Sequence, residues 1–179
     1  MNRKILAAIA ALVIVGAGGA AIATGAGADH PPVQFGLLKH AAGRGDTLSV
    51  HGDAVGIVNG RAARKAGEIG DADVYLAPGQ DPDYTCIVGV DPDGQSYACY
   101  GNDDLRDNAR ALGWAVGPEG SDVKVAVLVP DAYTEATVDD QQIDVTNNVA
   151  LTVRKSGQKG QLKLSGPDDE VAGEYSFGG

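Results

Sequence analysis

Hydrophobic and polar positions change period several times along this chain. Behind Arg3 and Lys4, residues 5–15 form an uninterrupted apolar run, which residues 16–28 dilute with Gly and Ala up to Ala26-Gly27-Ala28. His30-Pro31-Pro32 is extended, because each proline biases the preceding residue away from the helical region. Residues 33–40 carry apolar side chains at helix-like spacing around Gly36, which predicts a loose turn or short helix. Between His51 and Gly70, Ala54, Ile57, Val58 and Ala62-Ala63-Arg64-Lys65-Ala66 suggest helical turns, while five glycines argue against a long helix.

Beyond Asp71 the pattern turns strand-like. Val74-Tyr75-Leu76-Ala77 stops at Pro78-Gly79, and residues 85–90 and 95–100 flank Asp91-Pro92-Asp93-Gly94, a turn sequence between two β-prone runs. Asn102-Asp103-Asp104 is a helix start, and Leu105, Ala109 and Leu112 at i, i+4 and i+7 predict a short helix stopped by Gly113. Val123, Val125, Val127 and Val129 then recur with period two. Residues 135–138 and 143–145 flank the polar Asp139-Asp140-Gln141-Gln142 as a second hairpin, 149–153 is a further strand, and 161–164 adds one more. From Gly166 the chain is rich in Gly, Pro and acids and reads as a disordered tail. The expected fold is mainly β: an antiparallel sheet or small sandwich with one or two short helices, behind an N-terminal signal or anchor. The segments are 1–28, a single β-rich domain over 29–165, and the tail 166–179.

The basic start, apolar centre and small-residue ending of residues 1–28 are the three parts of a secretory signal, with cleavage expected before Asp29. The alternative is an uncleaved anchor, since about 20 apolar residues span a bilayer; contact with a membrane would then run through residues 5–24. Either way the basic end stays in the cytoplasm and the remainder lies outside. The expected location is therefore extracellular or cell envelope, or single-pass with the C-terminal domain outside.

Charge narrows the partners. With 24 Asp+Glu against 14 Lys+Arg the chain carries a formal −10. Such a chain lacks the basic footprint from which nucleic-acid binding starts. At 44% hydrophobic and 21% charged it is no disordered polymer. Two cysteines exclude a disulfide-dense scaffold and a four-cysteine zinc site. A four-residue loop at 91–94 places Cys86 opposite Cys99, within disulfide reach; a three-residue loop with a bulge turns Cys99 away unless a second bulge restores alignment. Outside the cytoplasm such a pair oxidises, and without Cys-x-x-Cys spacing it reads as a structural staple.

Candidate chemistry is sparse. Between Asp71 and Asp107 lie nine Asp residues and one basic residue, Arg106. Asp81, Asp83, Asp91 and Asp93 sit in loops, where spaced carboxylates offer the oxygen ligands Ca²⁺ wants. None matches the twelve-residue calcium loop, and Asp in tight turns also hydrogen-bonds its own backbone. His40, Asp46, His51 and Asp53 match no zinc spacing. No Gly-x-Ser-x-Gly, phosphate loop or dinucleotide fingerprint occurs, so no catalytic or cofactor-binding residue is assigned. Arg44-Gly45-Asp46 reads as a turn. The basic stretch 154–163 reads as a solvated hairpin edge, where lysine guards against strand-on-strand association.

Phe35-x-x-Leu38, Val74-Tyr75-Leu76-Ala77-Pro78, Cys86 and Cys99, Leu128-Val129-Pro130-Asp131 and Asn147-Asn148-Val149 together resemble a loose group of uncharacterised small exported proteins of high-GC Gram-positive bacteria. The resemblance spans most of residues 33–153, with Ala132 where the group has Gly. It implies export and assigns no activity or site residue. The expectation is a non-enzymatic envelope or extracellular module that binds another protein or a cell-wall polymer. The alternatives are a secreted hydrolase working through carboxylates, with or without Ca²⁺, and the external domain of a single-span anchored sensor.

Overall fold

The computed structural model describes residues 33–114 and 118–177; the signal or anchor expected at 1–28 lies outside them. Among the described residues no helix is long and apolar enough to cross a membrane. Three antiparallel four-stranded sheets make up the fold. The first runs β1 (Arg64–Ile69), β2 (Ala72–Pro78), β3 (Tyr84–Asp91) and β4 (Gly94–Gly101) as a simple meander. The middle sheet has the order β5 (Arg110–Trp114), β6 (Asp122–Leu128), β10 (Val149–Lys155), β9 (Val145–Thr146). The third is β12 (Glu170–Ser176), β11 (Lys159–Ser165), β7 (Glu135–Val138), β8 (Gln141–Ile143).

The middle sheet is covered on both faces, and this explains the near-continuous apolar run of β6. Val123, Val125, Val127 and Val129 pack with Val138, Leu162, Leu164 and Tyr175 of the third sheet. Ala126 and Leu128 face the other way, against Val74, Leu76 and Ile87 of the first sheet and Phe35. Lys124 is the polar exception in this strand. Its ammonium reaches Asp71 and lies 3.8 Å from Asp91, tying the β1–β2 and β3–β4 turns of the first sheet to β6. The outer face of the first sheet is covered by the segment holding Leu48, Ala54 and Val58, which packs on Tyr75, Ala77, Cys86 and Val88.

The mainly β architecture is as expected, but four local readings need correction. The segment 102–112 is not one helix. α2 spans only Asn102–Asp107, and Arg110 to Trp114 form β5 on β6. The chain straightens because the Ala109 N–H bonds the carbonyl of Ala172 and the Arg110 guanidinium reaches back to Asp104. The helical turns expected near 62–66 shrink to single 3₁₀ turns at Gly52–Ala54 and Gly60–Ala62; Arg64 onward is strand β1. α1 occupies Gly36–Lys39, as the short spacing allowed.

The tail is not disordered over 166–177. β12 pairs with β11 along its whole length, from Ser165 opposite Glu170 to Lys159 opposite Ser176, and buries Val171 and Tyr175. The period-two pattern Val171, Gly173, Tyr175 was hidden because its middle position is a glycine with no side chain and acids stand at 170 and 174. Finally, 143–145 is not one strand. Ile143 ends β8 in the third sheet, paired with Ala136, and Val145 opens β9 in the middle sheet, paired with Ala150. Asp144 is the corner where the chain changes sheet.

Candidate functional site

The β3–β4 ladder pairs Cys86 directly with Cys99, the register expected of the four-residue loop, and continues one pair further to Asp91 opposite Gly94, so only Pro92 and Asp93 lie between the strands. The two cysteines form a disulfide with Cα atoms 4.0 Å apart. Asp91 organises this turn, its Oδ1 accepting the N–H groups of Asp93 and Gly94 at 3.1 Å each. Asp81 does the same for Asp83 at 3.0 Å. The four candidate calcium ligands are thus divided between two turns, and two of their carboxylates are engaged with backbone. No group of three or more His, Cys, Asp or Glu converges among the described residues.

His40, Asp46, His51 and Asp53 do not converge either. Asp46 accepts the N–H of Gly43 at 2.5 Å and of Lys65 at 2.9 Å, two bonds that hold its carboxyl below the ordinary value. The Arg44-Gly45-Asp46 turn is thereby tied to β1. The His51 N–H donates to Gln95. The basic stretch 154–163 is not a sheet edge throughout, since β11 lies between β12 and β7. Three of its four charges are paired: Arg154 with Asp139, Lys155 with Asp122, Lys163 with Glu170.

The feature that brings residues of all three sheets together is a groove of about 580 Å³. Its walls are the edge strand β1 at Ala66–Glu68 and the edge strand β8 with Asp144; its floor is β9 and β10. The register of β1 against β2 shifts between Lys65 and Gly67, so Ala66 is a bulge. The Asn147 side chain donates to the Ala66 carbonyl at 3.1 Å and holds this bulge against the β9–β10 turn. That turn is a two-residue loop in which Asn147 and Asn148 both have positive φ, 50° and 65°. Such a loop matches the right-handed twist of its flanking strands, and Asn tolerates the conformation better than most residues. The Asn148 amide donates to Val129 O and to Asp131, both at 2.9 Å, while its oxygen takes the N–H of Leu37.

Hydrogen-bonding side chains dominate the lining, with Gln141, Gln142, Thr146 and Thr152 alongside the carboxylates of Glu68 and Asp144. Glu68 is paired with Lys65, which also binds Asp73 at 2.8 Å; no basic residue lines the groove. None of its lining residues is Ser, Cys or His. None of them was assigned a site role from sequence, because they come from segments about 75 residues apart and share no local pattern. The one available signal was Asp144, a charge between two β-prone residues, where a sheet corner was possible.

A second, apolar recess of about 260 Å³ lies beside the disulfide, lined by Ile57, Gly79, Tyr84 and Cys99. Ile57 and Tyr84 remain 43% and 45% exposed there. Comparisons with protein-family models, with curated proteins and with solved structures yield no match, so the groove is interpreted on its own geometry.

Proposed function

We propose that this protein is an exported, non-enzymatic binding module whose ligand seats in the groove between the three sheet edges. The observation that carries this reading is the groove itself, a concave site walled by amide, hydroxyl and carboxylate groups suited to hydrogen-bonding a polar ligand. Export is supported by the basic-apolar-small pattern of residues 3–28 and by a disulfide of the kind that persists in oxidising compartments. A net charge of −10 favours ligands that are neutral or cationic over anionic surfaces.

The test is retention of the purified protein on envelope fractions of its host, compared with a variant in which Gln142→Arg and Thr146→Arg fill the groove. Retention lost in the variant, with an unchanged melting temperature, is the expected result. Release of soluble fragments from the envelope material by the wild type would instead support the carboxylate-hydrolase alternative. Intact mass from medium and membrane fractions decides between a chain beginning at Asp29 and an anchored one.

A further inference from the structure

β9 covers β10 only at Val149 and Ala150, because the chain leaves the middle sheet at Asp144. Continued in register, Asp144 would stand opposite Leu151; instead the chain turns into β8. Among the described residues no strand pairs with β10 beyond Ala150 on that side. The parity of the ladder shows which groups are left facing it. The Val129 N–H bonds Asn148 O, and the Ser156 N–H bonds Ser121 O, at opposite ends of the β6–β10 pairing. Even-numbered residues of β10 therefore give their backbone groups to β6, and Leu151 and Val153 turn theirs to the open side, where the Val153 carbonyl accepts Arg154 Nη1 at 2.8 Å.

An open strand edge invites pairing, and proteins commonly guard one with charge, proline or a bulge. β1 is bulged and β8 is only three residues long. The open part of β10 is guarded only at its far end, where Arg154 Nη1 donates to the Val153 carbonyl at 2.8 Å; among the described residues nothing of the kind covers Leu151. Val153 is 44% exposed, and the charges of Arg154 and Lys155 are paired with Asp139 and Asp122. What sets this edge apart is that its Leu151–Thr152 end forms part of the groove floor between β1 and β8, while Val153 to Lys155 continue beyond the groove lining.

Resting on the binding-module reading, we infer that the groove takes an extended, lysine- or arginine-bearing peptide segment of a partner protein, which adds to β10 as an antiparallel strand along the line of β9. Backbone pairing to Leu151 and to the Val153 N–H supplies affinity without sequence demand, the Val153 carbonyl staying with Arg154. Charge supplies preference: Glu68 and Asp144 are the only ionisable groups in the lining. The unpaired edge from Leu151 to Lys155 spans about 17 Å at roughly 3.3 Å per residue, so a bound segment enters the groove at Leu151 and runs out past it.

The test uses the full chain and a blocked synthetic peptide of about ten residues alternating Val and Thr with interspersed Lys, read by fluorescence anisotropy. N-methylation of alternate residues on the pairing edge should weaken binding about tenfold or more, while N-methylation on the opposite edge should not. Val153→Pro removes a backbone N–H that faces away from β6, so the strand is retained and peptide binding falls about five- to tenfold. Val153→Thr serves as the folded control with the N–H intact. Asp144→Lys should weaken binding of the lysine peptide and leave a glutamate counterpart no weaker. Equal binding of both N-methylated peptides overturns strand addition while leaving the module reading intact. Peptide-independent dimerisation abolished by Val153→Pro, or binding of wall glycan fragments with no peptide bound, does the same. Cleavage of the peptide during the assay overturns both readings.

Discussion

The side-chain amide of Asn147 donates to the main-chain carbonyl of Ala66 at 3.1 Å, across 81 residues of sequence. It joins the β9–β10 turn to the bulge of β1 and so sets the distance between floor and wall of the groove. Asn147→Gly keeps the positive φ available and removes this bond. We expect a loss of about 1 kcal/mol in denaturant unfolding, with faster hydrogen exchange confined to β1. An unchanged midpoint and exchange pattern would show that the contact contributes nothing.

Cys86 and Cys99 close a loop with a sequence separation of 13 on the covered face of the first sheet. The double replacement by Ala should cost about 2–3 kcal/mol, mainly through a freer unfolded chain. Reduced wild type should unfold at nearly the same denaturant concentration as the double variant. A midpoint unaffected by reductant would contradict a structural role.

Gly89 lies under the only tryptophan of the chain. A Cβ built at Gly89 would stand 2.6 Å from the ring of Trp114, and the ring is buried against both sheets. Gly89→Ala should therefore destabilise by about 1–3 kcal/mol through overpacking. Because one tryptophan reports, the same variant should shift the emission maximum. Wild-type emission and stability together would show that the packing there is slack.

Acid should unfold the protein through particular carboxylates. Two bonds from Arg110, at 2.7 and 2.5 Å, hold Asp104 below the ordinary value of 3.8. At Asp131, burial pushes the carboxyl up, but hydrogen bonds from Asn148, Gly36 and Lys39 outweigh it and the net direction is down. Groups whose folded values are depressed stabilise fully above the unfolded value, and that contribution is lost as pH falls through the folded one. Stability should hold from neutrality to about pH 5 and fall steadily below about 4. In Asp104→Asn the fall should be shallower and should start from a lower plateau; an identical profile would remove Asp104 from the account.

The Tyr175 phenol is pushed up to about 12, first by burial and then by the hydrogen bond and charge of Asp139. Asp139 also accepts the Gln161 N–H at 3.0 Å and lies 3.5 Å from Arg154. In Asp139→Asn the phenol should titrate lower, short of the ordinary value because burial persists. Ultraviolet difference titration against Tyr175→Phe isolates the signal, and no change would place Asp139 outside the phenol's field.

Local patterns foretold much of this architecture because local forces decide it. Asp91-Pro92-Asp93-Gly94 is a turn whatever surrounds it, since Pro presets one φ and Asp91 bonds its own backbone. The period-two valines of β6 are a strand in any context that buries them. Sequence pattern failed where a long-range partner overrode a local preference. Arg110–Leu112 abandoned helical spacing for the open side of β6, and residues 170–176, acidic and glycine-bearing, became strand β12 because β11 offered a full ladder of hydrogen bonds.

By itself the amino-acid sequence determined the β class, the turn between the two cysteine-bearing strands and the acidic character, all consequences of turn chemistry, alternation and composition; which register pairs Cys86 with Cys99 was left to the structure. Only tertiary structure decided that Asp144 is a sheet corner, that β10 is left open beside it, and that Glu68 and Gln141 stand on opposite sides of one groove. Those facts depend on which sheet edge each strand finds, and edge pairing is a contest among distant segments that no window of neighbouring residues contains.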